Sequence, residues 1–337
     1  MKALVLHGPG GNYIYETDWP VPARPEGWAI VKTAYSGICG SDLPRYGSTG
    51  SYKHPMVLGH EFSGTVYETG ENSRFKTGDK VAVLPIIPCG YCAACKRDEP
   101  FHCASYQFIG SRNDGGHAQY CAVPETNLFL LPENVDLAAG SLIEPILVAL
   151  GTVRSSGFTP GKTAVVFGAG PIGLLIACWL RVFGATKVII SDLRDFSLDL
   201  AKKCGFTDFF NPLTDPAGSV QNIDFAFEAA GSAKALSSAI DMLAGKGVLT
   251  VVGRDVNDTV IPLKTFEQMM RKEITLKTTW GYRTAGEMDF LYEVLKKELI
   301  PAAMLITHNV KPEESAQLID DILNRRMDYG KAVIDFT

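Results

Sequence analysis

The chain is expected to fold as an α/β protein in which a β-rich domain is interrupted by a doubly wound parallel sheet. Three observations lead there. Up to about residue 146, short strand-like runs such as "WAIVKTAYSGI", "EFSGTVYETG" and "KVAVLPII" alternate with Gly and Pro turn signals, the rhythm of a barrel-like β-domain. The run "TAVVFGAGPIGLLIACWLRVFGATKVIISD" then reads as strand, glycine turn, apolar helix and strand. Four further strand candidates ("DFFN", "DFAFEA", "GVLTVVG" and "ITLKTT") follow with helical spacers between them, the alternation of a doubly wound sheet.

After about residue 279 come a helical segment ("EMDFLYEVLKKE"), the run "PAAMLITHNV", another helix and a terminal strand, "KAVIDFT". A tail this short cannot bury a core of its own, so it should return to the first domain. The expected division is therefore residues 1–146 with 280–337 as one domain and 147–279 as the other, with a cysteine lobe at 86–104.

Composition narrows the partners. At 337 residues and 46% hydrophobic, the chain can fill two cores without covalent staples. A net charge of −5 with no basic block speaks against nucleic acid and anionic membranes. "MKALVLHGPGGNYIYETD" lacks the apolar run of a signal peptide, and no stretch reaches the roughly eighteen apolar residues of a membrane span. Cys39, Cys121, Cys178 and Cys204 are scattered without obvious partners, which fits a reduced, cytoplasmic protein.

The other four cysteines are clustered. "IIPCGYCAACKRDEPFHC" sets Cys89, Cys92, Cys95 and Cys103 at C-x2-C-x2-C-x7-C spacing. In a reducing compartment such a group suits zinc: the two short spacings wrap three thiolates around one ion, and the fourth closes its shell. A closed shell leaves no position for substrate, so this zinc would be structural. The competing reading is an irregular loop with redox-active thiols.

"VVFGAGPIG" carries G-x-G-x-x-G at Gly168, Gly170 and Gly173, with Ile172 inside the motif. It follows a strand, opens a helix and precedes "VIISD", whose Asp192 ends the next strand. That context is required for a dinucleotide: glycines admit the pyrophosphate to a helix N-terminus, and the carboxylate takes the ribose hydroxyls. Asp192 would repel a 2′-phosphate, favouring NAD over NADP, while Arg194 could partly offset that repulsion. Gly231 and Gly253 end later strands, where the nicotinamide half belongs.

A second metal constellation is less explicit. "SGICGSDLPR", "LGHEFSG" and "LIEP" offer Cys39, His60, Glu61 and Glu144, a mixed donor set for a zinc with an open position. Residue by residue, a lone Cys39 is more often a buried small apolar residue and a lone His60 more often a satisfied polar one.

Taken together and in order, "CGSD", "GHEFSG", the four-cysteine loop, "DGGHAQY", "IEP" and "GAGPIG" resemble the zinc-dependent medium-chain dehydrogenase/reductase superfamily, in its polyol dehydrogenase branch, over essentially the whole chain. The resemblance implies a GroES-like catalytic domain interrupted by a Rossmann domain, and two zincs per chain. Cys39, His60 and Glu144 would hold the catalytic zinc, Glu61 would ligate or lie beside it, and Asp42 would orient His60. Cys89, Cys92, Cys95 and Cys103 would hold the structural zinc. It also implies hydride transfer from a secondary alcohol to NAD, Ser41 as the first group of a proton relay, and a homodimer or homotetramer. Sorbitol-type members carry a His–Tyr pair where this chain has Pro44–Arg45, and an arginine where it has Gly281 before Tyr282. With Arg45, Glu144 and Tyr282 as substrate contacts, a cation at position 45 suits a polyol phosphate. Lys53, Arg112 and Arg283 are further cations for the same anion. A free polyol or cyclitol is the alternative substrate, and a catalytically silent NAD-binding protein the remote one.

Overall fold

The computed structural model describes residues 1–215, 220–254 and 258–337. The chain divides into two compact units: Met1–Glu144, Arg283–Lys297 and Ile306–Thr337 in one, Pro145–Tyr282 and Glu298–Leu305 in the other. The segment Glu298–Leu305 thus departs from the contiguous tail expected with the first domain. Its Ile300, Ala302 and Leu305 are buried, and its end packs on the helix Asp195–Lys203.

In the first unit the strand Trp28–Gly37 is the hub of a seven-stranded sheet. Rich in β-branched and aromatic residues, it pairs antiparallel with Glu61–Glu68, Tyr120–Pro124 and Lys331–Asp335. Phe62, Val66, Val81, Val83, Ile109 and Val123 fill the space behind it. Register then does the positioning. Gly37 stands opposite both Glu61 and Val333, so Cys39, Glu61 and Lys331 arrive at one end of three neighbouring strands.

The second unit holds six parallel strands. Their order is Phe209–Phe210, Lys187–Ser191, Thr163–Phe167, Ile223–Glu228, Leu243–Val251 and Thr275–Thr278. The central strands are apolar on both faces because helices cover both, and Val165, Ile189, Ala226 and Leu249 are buried between them. Chain order reverses between Thr163–Phe167 and Ile223–Glu228, the switch point at which such sheets bind ligands. The fold is the expected GroES-like and Rossmann combination. Among the described residues no helix is long and apolar enough to cross a membrane.

Candidate active site

One donor of Cys39, one of His60 and one of Glu61 lie within 4.8 Å of one another. Each is placed by the backbone. Cys39 lies two residues past the hub strand, and the Ile38 N–H between them bonds to Ala332 O at 2.9 Å. Glu61 opens the neighbouring strand, and a side chain at Gly37 would put its Cβ 2.6 Å from the Glu61 carboxylate, so glycine is what makes room. Before them Gly59 has φ +94°, and its missing Cβ admits the ring of His117. His117 in turn accepts from the Tyr46 hydroxyl at 2.7 Å and donates to Gly37 O at 3.3 Å, tying the hub strand to the turn after Asp42.

The surroundings are buried and charged. Asp42 is fully buried, with one oxygen 3.4 Å from His60 Nδ1 and the other accepting from the Cys39 N–H. Burial alone would lift the Asp42 carboxyl, but the charge of His60 beside it and the Cys39 N–H hold it below the usual range. Burial likewise opposes charge on His60, yet Asp42 and Cys39 raise its pKa well above the ordinary value. Lys331 donates to Glu61 Oε2 at 2.5 Å and to Ile38 O at 3.2 Å; against the penalty of burial, Glu61 and Cys39 hold its ammonium above the usual lysine range. Glu144, in the first turn of the helix Ile143–Ser156, is pushed up to about 7 by burial and by its carboxylate neighbours, with His60 and Lys331 opposing. The edge of Phe108 closes on the His60 ring at 5.5 Å.

This donor set fits zinc. A thiol, an imidazole and carboxylates meet at a largely buried point, and the negative groups that raise the His60 pKa are ones a bound cation would neutralise. The buried Nδ1 of His60 and Oδ1 of Asp42 face each other without a well-formed hydrogen bond. The neutral, metal-ligating imidazole would close that gap by donating from Nδ1 to Asp42.

The cysteine lobe fits a closed zinc shell. The four sulfurs of Cys89, Cys92, Cys95 and Cys103 lie within 4.8 Å of one another, with Cys92 and Cys95 at 3.4 Å and Cys89 and Cys95 at 3.8 Å. Tetrahedral zinc with Zn–S near 2.3 Å would hold its sulfurs about 3.8 Å apart. Cys92 precedes the helical turn Ala93–Lys96, which carries Cys95 back to the centre. The Tyr91 N–H lowers the Cys89 thiol to about 6, while burial raises Cys95 to about 12. A metal would draw both sulfurs into one shared shell. All eight cysteines are free.

In the second unit, Gly170 caps the helix Pro171–Val182 with no side chain over its first-turn N–H groups. Nothing lies within 4 Å of a Cβ built on Gly170, whereas one on Gly173 would lie 1.8 Å from Gly168 O. The first leaves a cradle for an anion and the second lets helix and turn touch, the division of labour a dinucleotide fingerprint requires. Asp192 accepts from the Ala169 N–H at 2.8 Å and the Arg194 N–H at 2.9 Å, locking the glycine turn to the next strand. Arg194 Nε lies 3.6 Å from Asp192, so its charge is turned onto that carboxylate. Gly231 (φ +65°) and Gly253 adjoin each other beyond the ends of their strands.

Comparison with known proteins places these sites in a family. Residues 25–133 match the alcohol dehydrogenase GroES-like domain, and residues 171–297 match the zinc-binding dehydrogenase domain. Galactitol 1-phosphate 5-dehydrogenase of Escherichia coli K12 is 34% identical over 316 residues, 90% of this chain and 91% of its own length. The chain belongs to the zinc-dependent medium-chain polyol dehydrogenases. The E. coli galactitol-1-phosphate dehydrogenase crystal structure superposes with a TM-score of 0.91 at 32% identity, covering 99% of this chain and 100% of that one. D-xylulose reductase A of Aspergillus niger is 33% identical over 310 residues, 87% of this chain and 86% of its own. An alcohol dehydrogenase from E. coli CFT073, solved with NADH, is 28% identical with a TM-score of 0.88, covering 100% of this chain and 99% of its own.

Within this dehydrogenase the expected residues fall as follows. Cys39, His60 and Glu61 form the tight group; Glu144, expected as a ligand in preference to Glu61, lies outside it but within electrostatic reach. Ser41 is exposed, with its hydroxyl donating to Cys39 Sγ at 3.3 Å. Arg45 opens the π-helical turn Arg45–Thr49. Arg283 pairs with Glu99 at 3.4 Å and is thereby drawn to the cysteine lobe. Tyr282 is buried beside Gly151 in the second unit. Lys331 was missed: nothing in "GKAVIDFT" marks it, and its partner Glu61 is 270 residues away.

Proposed function

We propose that this enzyme oxidises a secondary alcohol of a polyol phosphate, galactitol 1-phosphate or a close analogue, to the keto sugar with NAD. The observation that carries the phosphate is Arg45, three residues past Asp42 on the turn that begins at Cys39, whose guanidinium has no ion-pair partner among the described residues. The same motifs that resemble this branch, "CGSDLPR", "LGHEFSG" and "FIGSRNDGG", are those by which the sequence resembles galactitol-1-phosphate 5-dehydrogenase.

Cys39, His60 and Glu144 would hold the catalytic zinc, while Lys331 pairs with Glu61 and Asp42 fixes the His60 ring. Bound zinc supplies Lewis acidity toward the substrate hydroxyl, and bound NAD is the hydride acceptor. Ser41 receives the hydroxyl proton and passes it toward solvent. Phe108 lies edge-on to the His60 ring and covers that side of it with an apolar surface. Asp192 favours NAD because its carboxylate pairs with ribose hydroxyls and repels a 2′-phosphate. Cys89, Cys92, Cys95 and Cys103 would hold the structural zinc and, through it, the lobe.

A cytoplasmic homodimer or homotetramer accompanies this reading. Leu263, Phe266 and Met270 on the helix Leu263–Lys272 and Leu276 on the edge strand Thr275–Thr278 are exposed, an apolar surface suited to a second copy. Light scattering giving a monomer would remove that part. The substrate is tested by steady-state kinetics with NAD on matched pairs: galactitol 1-phosphate against galactitol, and other polyol phosphates against their free polyols. The phosphates should be preferred. Equal efficiency within each pair would make a free polyol or cyclitol the substrate instead.

A further inference from the structure

A second guanidinium packs on the same ring as Arg45. Arg45 Cζ lies 5.3 Å from the centre of the Tyr52 ring and Arg112 Cζ 4.7 Å from the same centre. Tyr52 is 66% exposed, so the pair is spread over a ring that faces solvent. Arg112 Cζ also lies over the Tyr106 ring, 4.1 Å from its centre, and Nη1 donates to Tyr106 O at 3.2 Å. Ser51 Oγ donates to Ser111 O at 2.7 Å, stitching the loop that carries Tyr52 to the loop that carries Arg112.

Both loops are anchored at the zinc site. Arg45 follows Asp42, whose carboxylate faces His60, and the Tyr46 N–H bonds back to Asp42 O at 2.9 Å. The Arg112 N–H bonds to Phe108 O at 2.8 Å, and Phe108 is the ring whose edge closes on His60. Each guanidinium is therefore one turn of chain from a side chain that touches a proposed zinc ligand.

Among the described residues neither arginine forms an ion pair, and exposed Lys53 adds a third positive charge next to Tyr52. Two cations packed on one aromatic ring gain cation–π attraction but repel each other, and among the described residues no ion pair neutralises either. Packing over a ring holds each guanidinium in place, and the N–H groups other than the one Arg112 gives to Tyr106 O can make paired hydrogen bonds to phosphate oxygens. We propose that Arg45 and Arg112, spread on Tyr52, clamp the phosphate of the substrate, with Tyr52 as the positioning residue. This rests on the polyol-phosphate reading above.

The test has a kinetic arm and a binding arm. The kinetic readout is selectivity: kcat/KM for galactitol 1-phosphate divided by kcat/KM for galactitol. Arg112→Gln should lower this ratio about tenfold or more, as expected for loss of a charge-assisted contact. Tyr52→Ala should lower it as well, and Tyr52→Phe should restore it, because the ring and not the hydroxyl does the positioning. In the binding arm, inorganic phosphate should raise the Tm of the wild type above that in chloride of equal ionic strength. The Arg45→Ala/Arg112→Gln double variant should lose that increment while keeping the wild-type circular dichroism. A wild type that prefers the phosphate, with a ratio unchanged in Arg112→Gln and Tyr52→Ala, would overturn the clamp and leave the substrate standing. A wild type with no preference for the phosphate overturns the substrate reading. Phosphate binding lost in the double variant would then show an anion site that does not serve the substrate, against the proposal.

Discussion

Lys331→Met is the most informative single change in the first unit. The Lys331 side chain is 5% exposed and its ammonium contacts the Glu61 carboxylate and the Ile38 carbonyl. Methionine keeps the stem and removes the charge, stranding a buried carboxylate. Breaking one side of a buried ion pair costs about 3–5 kcal/mol. Adding Glu61→Gln removes the stranded charge, so the double variant should recover most of that loss. What remains is the unsatisfied Ile38 carbonyl, about 1–3 kcal/mol. Urea unfolding of the zinc-loaded protein, followed by circular dichroism, measures all four corners of the cycle. A loss below about 1 kcal/mol in Lys331→Met, or no recovery on adding Glu61→Gln, would refute the coupling of these two residues.

Three further outcomes follow from other parts of the molecule. Cys92→Ser should lose one zinc per chain and much of the stability, because a closed thiolate site contributes folding energy directly; metal analysis and thermal unfolding check it. Asp192→Ala should raise KM for NAD and narrow the preference over NADP, and it should also loosen the glycine turn that Asp192 holds through the Ala169 N–H. An unchanged cofactor ratio would transfer that role to Arg194. Asp224 accepts from Lys162 Nζ and from the Thr163 N–H and hydroxyl, and these hydrogen bonds outweigh burial to hold its carboxyl below the usual range. A depressed folded pKa gives stability that is present above the unfolded value, about 4, and lost as pH falls through the folded one. Asp224→Asn should therefore be less stable at neutral pH and lose less stability on acidification than the wild type.

The parts of this protein that were legible in the sequence are those encoded over short distances. The parallel strands read as apolar runs because helices bury both of their faces, and Gly168, Gly170 and Gly173 sit in the strand–turn–helix context that gives the motif meaning. The four-cysteine loop carries its geometry in its spacing. The catalytic group was legible only as separate candidates, since it is assembled by register: Gly37 opposite Glu61 on one side and Val333 on the other. That register also explains why Lys331 went unseen, and why Glu61 rather than Glu144 falls in the tight group. The Arg112–Tyr52–Arg45 stack depends on two loops meeting through Ser51 and Ser111, which no local pattern announces.

Zinc content measured against turnover tests the central claim most directly. Wild-type protein should carry two zincs per chain and oxidise a polyol or polyol phosphate with NAD. Glu144→Ala should keep the zinc of the cysteine lobe, lose or loosen the other, and lose turnover while retaining its fold. A wild type with a single zinc, or a Glu144→Ala enzyme that turns over at the wild-type rate, would contradict the account.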